Sequence, residues 1–95
     1  MDQHSIAVGK LKNIGPTVAR RLNEIGIHSK SDLERVGVVT AYCEVKQRYP
    51  EASIPVCYYL YSLEGALKNQ HWDEIGDDVK LSLKERANRF WNALS

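Results

Sequence analysis

Apolar residues recur along most of the chain at the three- and four-residue spacing of amphipathic helices, and no long stretch alternates as a half-buried strand does. The pattern predicts an all-α fold: a single compact domain of five or six helices over residues 1–95, with residues 1–5 frayed. The predicted helices are a short one from Ser5 bearing Ile6, Leu11 and Ile14, then Thr17–Ile25, a short third one containing Leu33 and Val36, Val38–Tyr49, Pro55–Asn69 and Asp78–Leu94.

Capping residues mark several helix ends. Gly26 suits the C-terminal cap of the second helix, and Gly37 is expected to close the third. Ser29 or Ser31 begins that third helix, and Ser31 stands three residues before Glu34, as in a capping box.

The fifth predicted helix has the widest apolar stripe, which is typical of a central helix. Ser53 and Pro55 supply its start signals. Gly65 inside it costs about 1 kcal/mol of helix propensity. We therefore expect a neighbouring helix to approach closely at Gly65.

The segment Leu11–Leu22 carries the most distinctive pattern. An apolar-periodic stretch ends at Ile14, a Gly-Pro pair follows, and the helical pattern then restarts. Gly15 tolerates a tight or left-handed backbone, and Pro16 fits the first position of a helix. This is the pattern of a helix-hairpin-helix element, with Asn13, which also tolerates the left-handed region, in place of the first glycine.

The tip of this hairpin is a candidate nucleic-acid site, because the free N–H groups at the start of its second helix suit a phosphate. Residues 1–22 hold four cations and a single acid, Asp2, on a chain of net charge +1. The predicted contacts are Lys10, Lys12, Asn13, Gly15, Thr17, Arg20 and Arg21. The alternative is a packing hairpin whose cations only solvate its outer face.

The composition is that of a globular protein, with 43% hydrophobic and 26% charged residues. A net charge of +1 argues against a dedicated nucleic-acid binder and leaves a local contact open. No apolar run reaches the ~20 residues that span a bilayer, and the N-terminus lacks a signal-peptide pattern. We expect a cytoplasmic protein with no membrane partner, in which Cys43 and Cys57 are reduced and buried.

The sequence contains no pattern of a catalytic or metal site. The three histidines lack the paired spacing of a zinc site. The acidic cluster at residues 73–78 lacks the order of a calcium loop, and we expect Asp77 or Asp78 to cap the last helix instead. A nucleophile elbow and a phosphate loop are also absent. We expect a protein that is not an enzyme, with no metal, cofactor or small-molecule substrate.

Aromatic residues suggest a surface for a protein partner. Tyr58 points off the main stripe of its helix, His71-Trp72 is expected to fix the turn between the last two helices, and Trp91 lies near the C-terminus. Exposed aromatic side chains are typical of partner surfaces. Tyr58, Trp72 and Trp91 are therefore the predicted partner surface, for a transcription regulator or a second copy of the chain.

Several sequence runs occur in a family-specific order: the Ile14-Gly15-Pro16 tip, Ile25–His28, Ser31–Leu33, Gly37–Tyr42, and Leu60–Leu67 followed by His71-Trp72. Together they resemble the C-terminal domain of TfoX-type (Sxy) competence regulators. The resemblance implies a helical fold with a helix-hairpin-helix-like start and a role in regulators that promote expression of DNA-uptake genes. It implies no catalytic residue. The full-length regulators also carry an N-terminal domain, to which no part of this sequence corresponds.

Two functional hypotheses follow. The first is a non-enzymatic regulatory module that makes weak, nonspecific DNA-backbone contacts through the hairpin. The second is a protein-interaction module, acting as a homodimer or as the partner of a transcription factor, with no nucleic-acid binding.

Overall fold

The computed structural model describes residues 6–52, 54 and 57–94, without the side chains of Cys57, Tyr58 and Leu94. The described residues form five α-helices: α1 (Pro16–Glu24), α2 (Lys30–Val36), α3 (Val38–Arg48), α4 (Ser62–Lys68) and α5 (Asp77–Leu94). A π-helical segment, Cys57–Tyr61, leads into α4, and 3-10 turns cover Val8–Lys10 and Trp72–Glu74. The predicted all-α fold is confirmed.

The segment before α1 is not the helix that the sequence predicts. Within residues 6–15 the helical part is the single 3-10 turn Val8–Lys10. The Val8 N–H donates to the His28 carbonyl at 3.0 Å, and the Lys30 N–H donates to the Ile6 carbonyl at 2.7 Å. The prediction was wrong because this backbone pairs with a loop about twenty residues away. Ile6, expected on the apolar face, is 45% exposed.

The left-handed residue of the hairpin is Asn13, with φ 73°. Gly15 has an extended backbone, with φ −89° and ψ 178°. The prediction of a tight or left-handed backbone at this glycine was therefore wrong. Pro16 is the first residue of α1 as predicted, and Ile14 is buried between the turn and the helix core.

Gly26 ends α1 in a Schellman motif, as its position in the sequence predicts. Its φ is +86°. The Ile27 N–H reaches the Leu22 carbonyl at 2.9 Å and the Gly26 N–H reaches the Asn23 carbonyl at 3.1 Å. Ile27 is then fully buried, which holds the end of α1 against the core.

The cap of α2 is Ser29, one of the two predicted candidates. The Asp32 N–H donates to the Ser29 hydroxyl, and the Asp32 carboxylate accepts from the Ser29 N–H. The capping box is therefore Ser29–Asp32, and the pairing of Ser31 with Glu34 was wrong. Gly37, with φ +90°, closes α2 as predicted.

The predicted fifth helix is divided into two parts in the structure. Its expected start signals, Ser53 and Pro55, lie outside the described residues. The chain then runs through the π-helical segment before α4, which ends at Asn69 with φ 55°. Gly65 is closely approached, as expected. The neighbours are the Gln70 carbonyl oxygen and the Asn13 amide, which a Cβ would meet at 2.5 and 2.6 Å, and not a neighbouring helix.

The long helix α5 packs along α3 and covers one side of the core. Asp77 and Asp78 lie within its first turn, where their charge opposes the helix dipole. The Lys80 N–H donates to the Gly76 carbonyl, so Gly76 occupies the cap position and the predicted cap at Asp77 or Asp78 was wrong. Leu83 and Ala87 of α5 are buried, and the Cys43 thiol of α3 lies 3.7 Å from the Ala87 carbonyl oxygen. Cys43 is free and buried as predicted, whereas the prediction for Cys57 lies outside the described side chains.

One buried cluster joins all five helices. Its fully buried members include Leu22, Ile27, Leu33, Val45, Leu60, Leu63 and Leu83. The radius of gyration of 12.6 Å is close to the ~13 Å expected for a folded chain of this length. Among the described residues, no helix is both long and apolar enough to cross a membrane.

Candidate nucleic-acid interface

Four of the predicted contact residues are exposed around the start of α1. We call this surface the hairpin tip; it consists of Lys10, Lys12, Thr17 and Arg20. Lys10 ends the 3-10 turn, Lys12 lies in the turn before Asn13, and Thr17 and Arg20 share one face of α1 at a spacing of three residues.

The N-terminus of α1 supplies the hydrogen-bond donors of the hairpin tip. Among the described residues no side chain caps this end. Pro16 has no N–H, and the N–H groups of Thr17 and Val18 have no partner within the helix. The positive end of the helix dipole adds to the charge of the lysines.

Acidic residues are missing from the hairpin tip. The first one after residue 5 is Glu24, at the far end of α1. A hydrogen bond from the Tyr49 hydroxyl, followed by the charges of Arg48 and Arg20, holds the pKa of Glu24 below its ordinary value. Glu24 is thus paired at the α3 side, with Arg48 Nε at 3.5 Å.

Arg21 points away from the hairpin tip. One terminal nitrogen of its guanidinium donates to the Tyr59 hydroxyl at 2.6 Å, and its central carbon lies 4.5 Å from the centre of the Tyr49 ring. Its Nε is buried without a hydrogen-bond partner among the described residues. Arg21 therefore joins α1 to α3 and the π-helical segment, and the structure does not present it to a phosphate.

The Asn13 side chain also points inward. Its amide nitrogen donates to the Gln70 carbonyl at 2.8 Å and to the Ser62 carbonyl at 3.3 Å. These bonds anchor the hairpin on both ends of α4. Gly15 is half-exposed next to Pro16 and contributes backbone only.

The two tryptophans of the predicted partner surface lie near opposite ends of α5. Trp72 precedes the helix and is 36% exposed, whereas Trp91 is half-buried in its last turns. From Asp77 to Trp91 the helix rises about 21 Å. The side chain of Tyr58 lies outside the described residues. The structure therefore does not bring the two tryptophans into one patch.

Two lysines each lie between two aromatic rings, an arrangement that the sequence analysis missed. Lys80 Nζ is 5.6 Å from the centre of the Tyr61 ring and 6.0 Å from that of Trp72. Lys46 Nζ is 4.9 Å from the centre of Trp91. The sequence gives little sign of this arrangement, because Trp91, Tyr61 and Trp72 belong to other elements than the lysines they face. Tyr42 and Lys46, four residues apart on α3, are a pair that the helical spacing could have indicated.

In the part of the chain that the structure describes, no three His, Cys, Asp or Glu side chains come together as a metal site would require. His71 is instead engaged locally. It caps the 3-10 turn Trp72–Glu74, and its Nδ1 lies 2.6 Å from an oxygen of Asp73. The predicted role of His71-Trp72 in the turn before α5 is confirmed.

Comparison with known proteins gives one family and two similar structures. The model of the family described as "TfoX C-terminal domain" matches residues 4–87. No protein of curated function matches the sequence. The crystal structure of an uncharacterized protein from Listeria monocytogenes, in a triclinic form, is 25% identical, with a TM-score of 0.76 over 88% of this chain and 92% of that one. A tetragonal crystal structure of a Listeria monocytogenes protein of unknown function is 26% identical, with a TM-score of 0.72 over 93% and 99% of the two chains.

Proposed function

The chain belongs to the TfoX C-terminal domain family, and from this membership we propose that it is a non-enzymatic regulatory module that contacts the DNA backbone through the hairpin tip. The contact is weak and carries no sequence preference, because phosphate contacts position a protein without reading bases. Its role is that of a co-regulator of transcription in DNA uptake.

The distribution of charge along the chain carries this proposal. Residues 6–23 contain four cations and no acid, whereas the whole chain has a net charge of only +1. Three of those cations, Lys10, Lys12 and Arg20, are exposed beside the uncapped start of α1. Cations and free N–H groups at one helix start are the chemistry that binds a phosphate.

The test is fluorescence anisotropy of a labelled duplex of about 20 base pairs, titrated with the protein over a salt series. Three phosphate contacts predict that log K falls against log salt with a slope of about −2 to −3. The double variant Lys12→Glu, Arg20→Glu is expected to abolish binding at low salt, because it reverses two of the three exposed charges.

The matched control is Arg86→Glu, Arg89→Glu, which makes the same change of net charge at two exposed positions of α5. Binding that survives this change and is lost in the hairpin variant supports the proposal. An equal loss of DNA affinity in both double variants would mean that only the net charge matters, and would contradict the assignment of DNA binding to the hairpin tip. A wild-type chain that does not bind at low salt and high micromolar concentration rules out the DNA contact.

A protein partner is the second candidate, favoured by the exposure of apolar side chains around α5. Trp72 is 36% and Leu81 is 59% exposed. A second copy of the chain or a transcription factor would cover such side chains. Sedimentation equilibrium of the wild type and of Trp72→Ala tests whether the partner is a second copy of the chain. A wild-type dimer that Trp72→Ala dissociates supports self-association. A wild-type protein that stays monomeric at all concentrations contradicts self-association.

A further inference from the structure

A partly enclosed cavity lies between α3 and α5, away from the hairpin tip. Its volume is about 200 Å³. Its mouth and walls are formed by Tyr42, Lys46, Lys84, Asn88, Trp91 and Asn92. Cys43 and Ala87 close it on the core side, where the thiol lies 3.7 Å from the Ala87 carbonyl oxygen.

The described lining of this cavity is positively charged. It contains two ammonium groups, Lys46 and Lys84, and no carboxylate. None of the ion pairs among the described residues involves either lysine. Burial raises the pKa of the Cys43 thiol, so this group stays neutral at pH 7 and adds no negative charge.

Lys46 is held at the cavity by aromatic rings. Its Nζ lies 4.9 Å from the centre of the Trp91 ring and 6.0 Å from that of Tyr42. A cation over an aromatic face is stabilised without being neutralised. The N–H donors of the ammonium group therefore remain available to another molecule.

The other walls suit the remainder of a small organic molecule. The half-buried Trp91 offers ring surface, and the amides of Asn88 and Asn92 can each donate and accept hydrogen bonds. The volume of the cavity is about 200 Å³. Sites for drug-sized ligands are larger, about 300–1,000 Å³. The space therefore fits a molecule of one ring and one acidic group.

We propose that the α3–α5 cavity binds a small monocyclic organic anion, with its acidic group between Lys46 and Lys84 and its ring against Trp91. The sequence predicts no small-molecule substrate, and this proposal adds a small-molecule ligand. It does not depend on DNA binding, since none of its residues belongs to the hairpin tip.

The test uses the ¹⁵N-labelled protein of residues 1–95, titrated with benzoate and, separately, with phenyl phosphate, with neutral benzamide as the matched probe. The indole N–H of Trp91 and the side-chain amides of Asn88 and Asn92 are expected to shift with a dissociation constant on the order of 1 mM. Trp72 lies outside the cavity and serves as the internal reference, assigned by Trp72→Phe. Saturable shifts with either anion support the proposal, and the tighter of the two identifies the acidic group.

Lys84→Gln tests the charge. Lys84 is exposed, so this variant is expected to fold. It should weaken benzoate binding about tenfold, the usual effect of losing a charge-assisted hydrogen bond. Lys12→Gln removes the same charge at the hairpin tip and should leave benzoate binding unchanged. Benzamide binding as tightly as benzoate, equal shifts at Trp72 and Trp91, or no saturation up to 10 mM would each overturn the proposal.

Discussion

Asn13 has two structural roles that both depend on its particular side chain. Its backbone takes φ 73°, which few residues other than glycine accept. Its amide donates to the carbonyls of Ser62 and Gln70, on either side of Gly65. A glycine would supply the backbone geometry alone. The asparagine therefore replaces a hairpin glycine and also anchors the hairpin.

Gly65→Ala is expected to destabilise the protein by up to about 2 kcal/mol, the overpacking cost less the gain in helix propensity. Alanine gains helix propensity of about 1 kcal/mol. Its Cβ would however lie 2.5 Å from the Gln70 carbonyl oxygen, which is backbone, and 2.6 Å from the Asn13 amide. Overpacking of this kind costs about 1–3 kcal/mol. Urea unfolding followed by circular dichroism measures the difference.

Gly15→Ala is the matched control. A Cβ at Gly15 meets nothing within 4 Å and its φ is ordinary, so the loss should stay below about 1 kcal/mol, from the weaker helix-capping propensity of alanine. A stabilising effect of Gly65→Ala would contradict the close approach.

Asp32 makes stability depend on pH through the cap of α2. The His28 N–H donates to its carboxylate at 2.9 Å and lowers its pKa from the ordinary 3.8, with Arg35 and Ser29 contributing. Because the pKa of Asp32 is lower in the folded protein than in the unfolded chain, its carboxylate stabilises the folded state above pH 3.8. This stabilisation is lost as the pH falls through the pKa that Asp32 has in the folded protein. We expect Asp32→Asn to be less stable than the wild type at pH 7.

The same comparison at low pH provides the check. Thermal unfolding of the wild type and Asp32→Asn should give melting temperatures that converge only once the pH is below the lowered pKa that Asp32 has in the folded state, since the wild-type carboxyl is then protonated. A gap that stays constant from pH 7 to pH 2 would show that the carboxylate charge is not involved.

Among the elements, the contact of α1 with α3 and the π-helical segment depends on one arginine. Arg21 bonds to the Tyr59 hydroxyl and lies over the Tyr49 ring. The Tyr49 hydroxyl in turn donates to Glu24, one turn further along α1. A flat guanidinium can bond and stack at once, which an ammonium cannot.

Arg21→Lys is therefore expected to lower the free energy of unfolding by about 1–2 kcal/mol, from the lost hydrogen bond and stacking. DNA affinity of the folded variant should be unchanged, because the charge is retained and Arg21 lies off the hairpin tip. Chemical unfolding and anisotropy measure the two quantities. Arg20→Lys, at the neighbouring exposed position, should change stability by less than about 0.5 kcal/mol. A larger loss of stability in Arg20→Lys than in Arg21→Lys would contradict the inward orientation of Arg21.

On the scale of the whole molecule, a single buried cluster connects every helix, including α5, which contributes Leu83 and Ala87. A single domain of this size usually unfolds in one cooperative step. In Trp72→Phe the remaining tryptophan is Trp91, so its fluorescence reports on the C-terminal part of α5. We expect the melting midpoint measured by this fluorescence to equal the midpoint measured by circular dichroism.

The reciprocal variant, Trp91→Phe, reports Trp72 at the other end of α5 and should also give coincident midpoints. A fluorescence transition that precedes the loss of helix in either variant would show that α5 detaches as a separate unit.

Local signals in the sequence correctly predicted most of the helices and the ends of α1 and α2. These signals depend on neighbours within about four residues. They are the apolar spacing of α3 and α5, Pro16 at the start of α1, and Gly26 and Gly37 at helix ends. Such information is present in any short window of the chain. The exposed cations of the hairpin tip were also predicted, because their spacing on α1 and its flanking turn is local.

Contacts between distant residues decided the rest. Asn13 and Gln70 are 57 positions apart, and Arg21 and Tyr59 are 38 apart. Pairing with residues 28–30 replaced the predicted first helix by a single turn. The cavity between α3 and α5 likewise combines residues more than forty positions apart. The sequence by itself determined most of the helices and the ends of α1 and α2, because those depend on local equilibria. Only the tertiary structure decided which side chains point inward and which enclose a cavity, because those depend on packing between elements that no local pattern encodes.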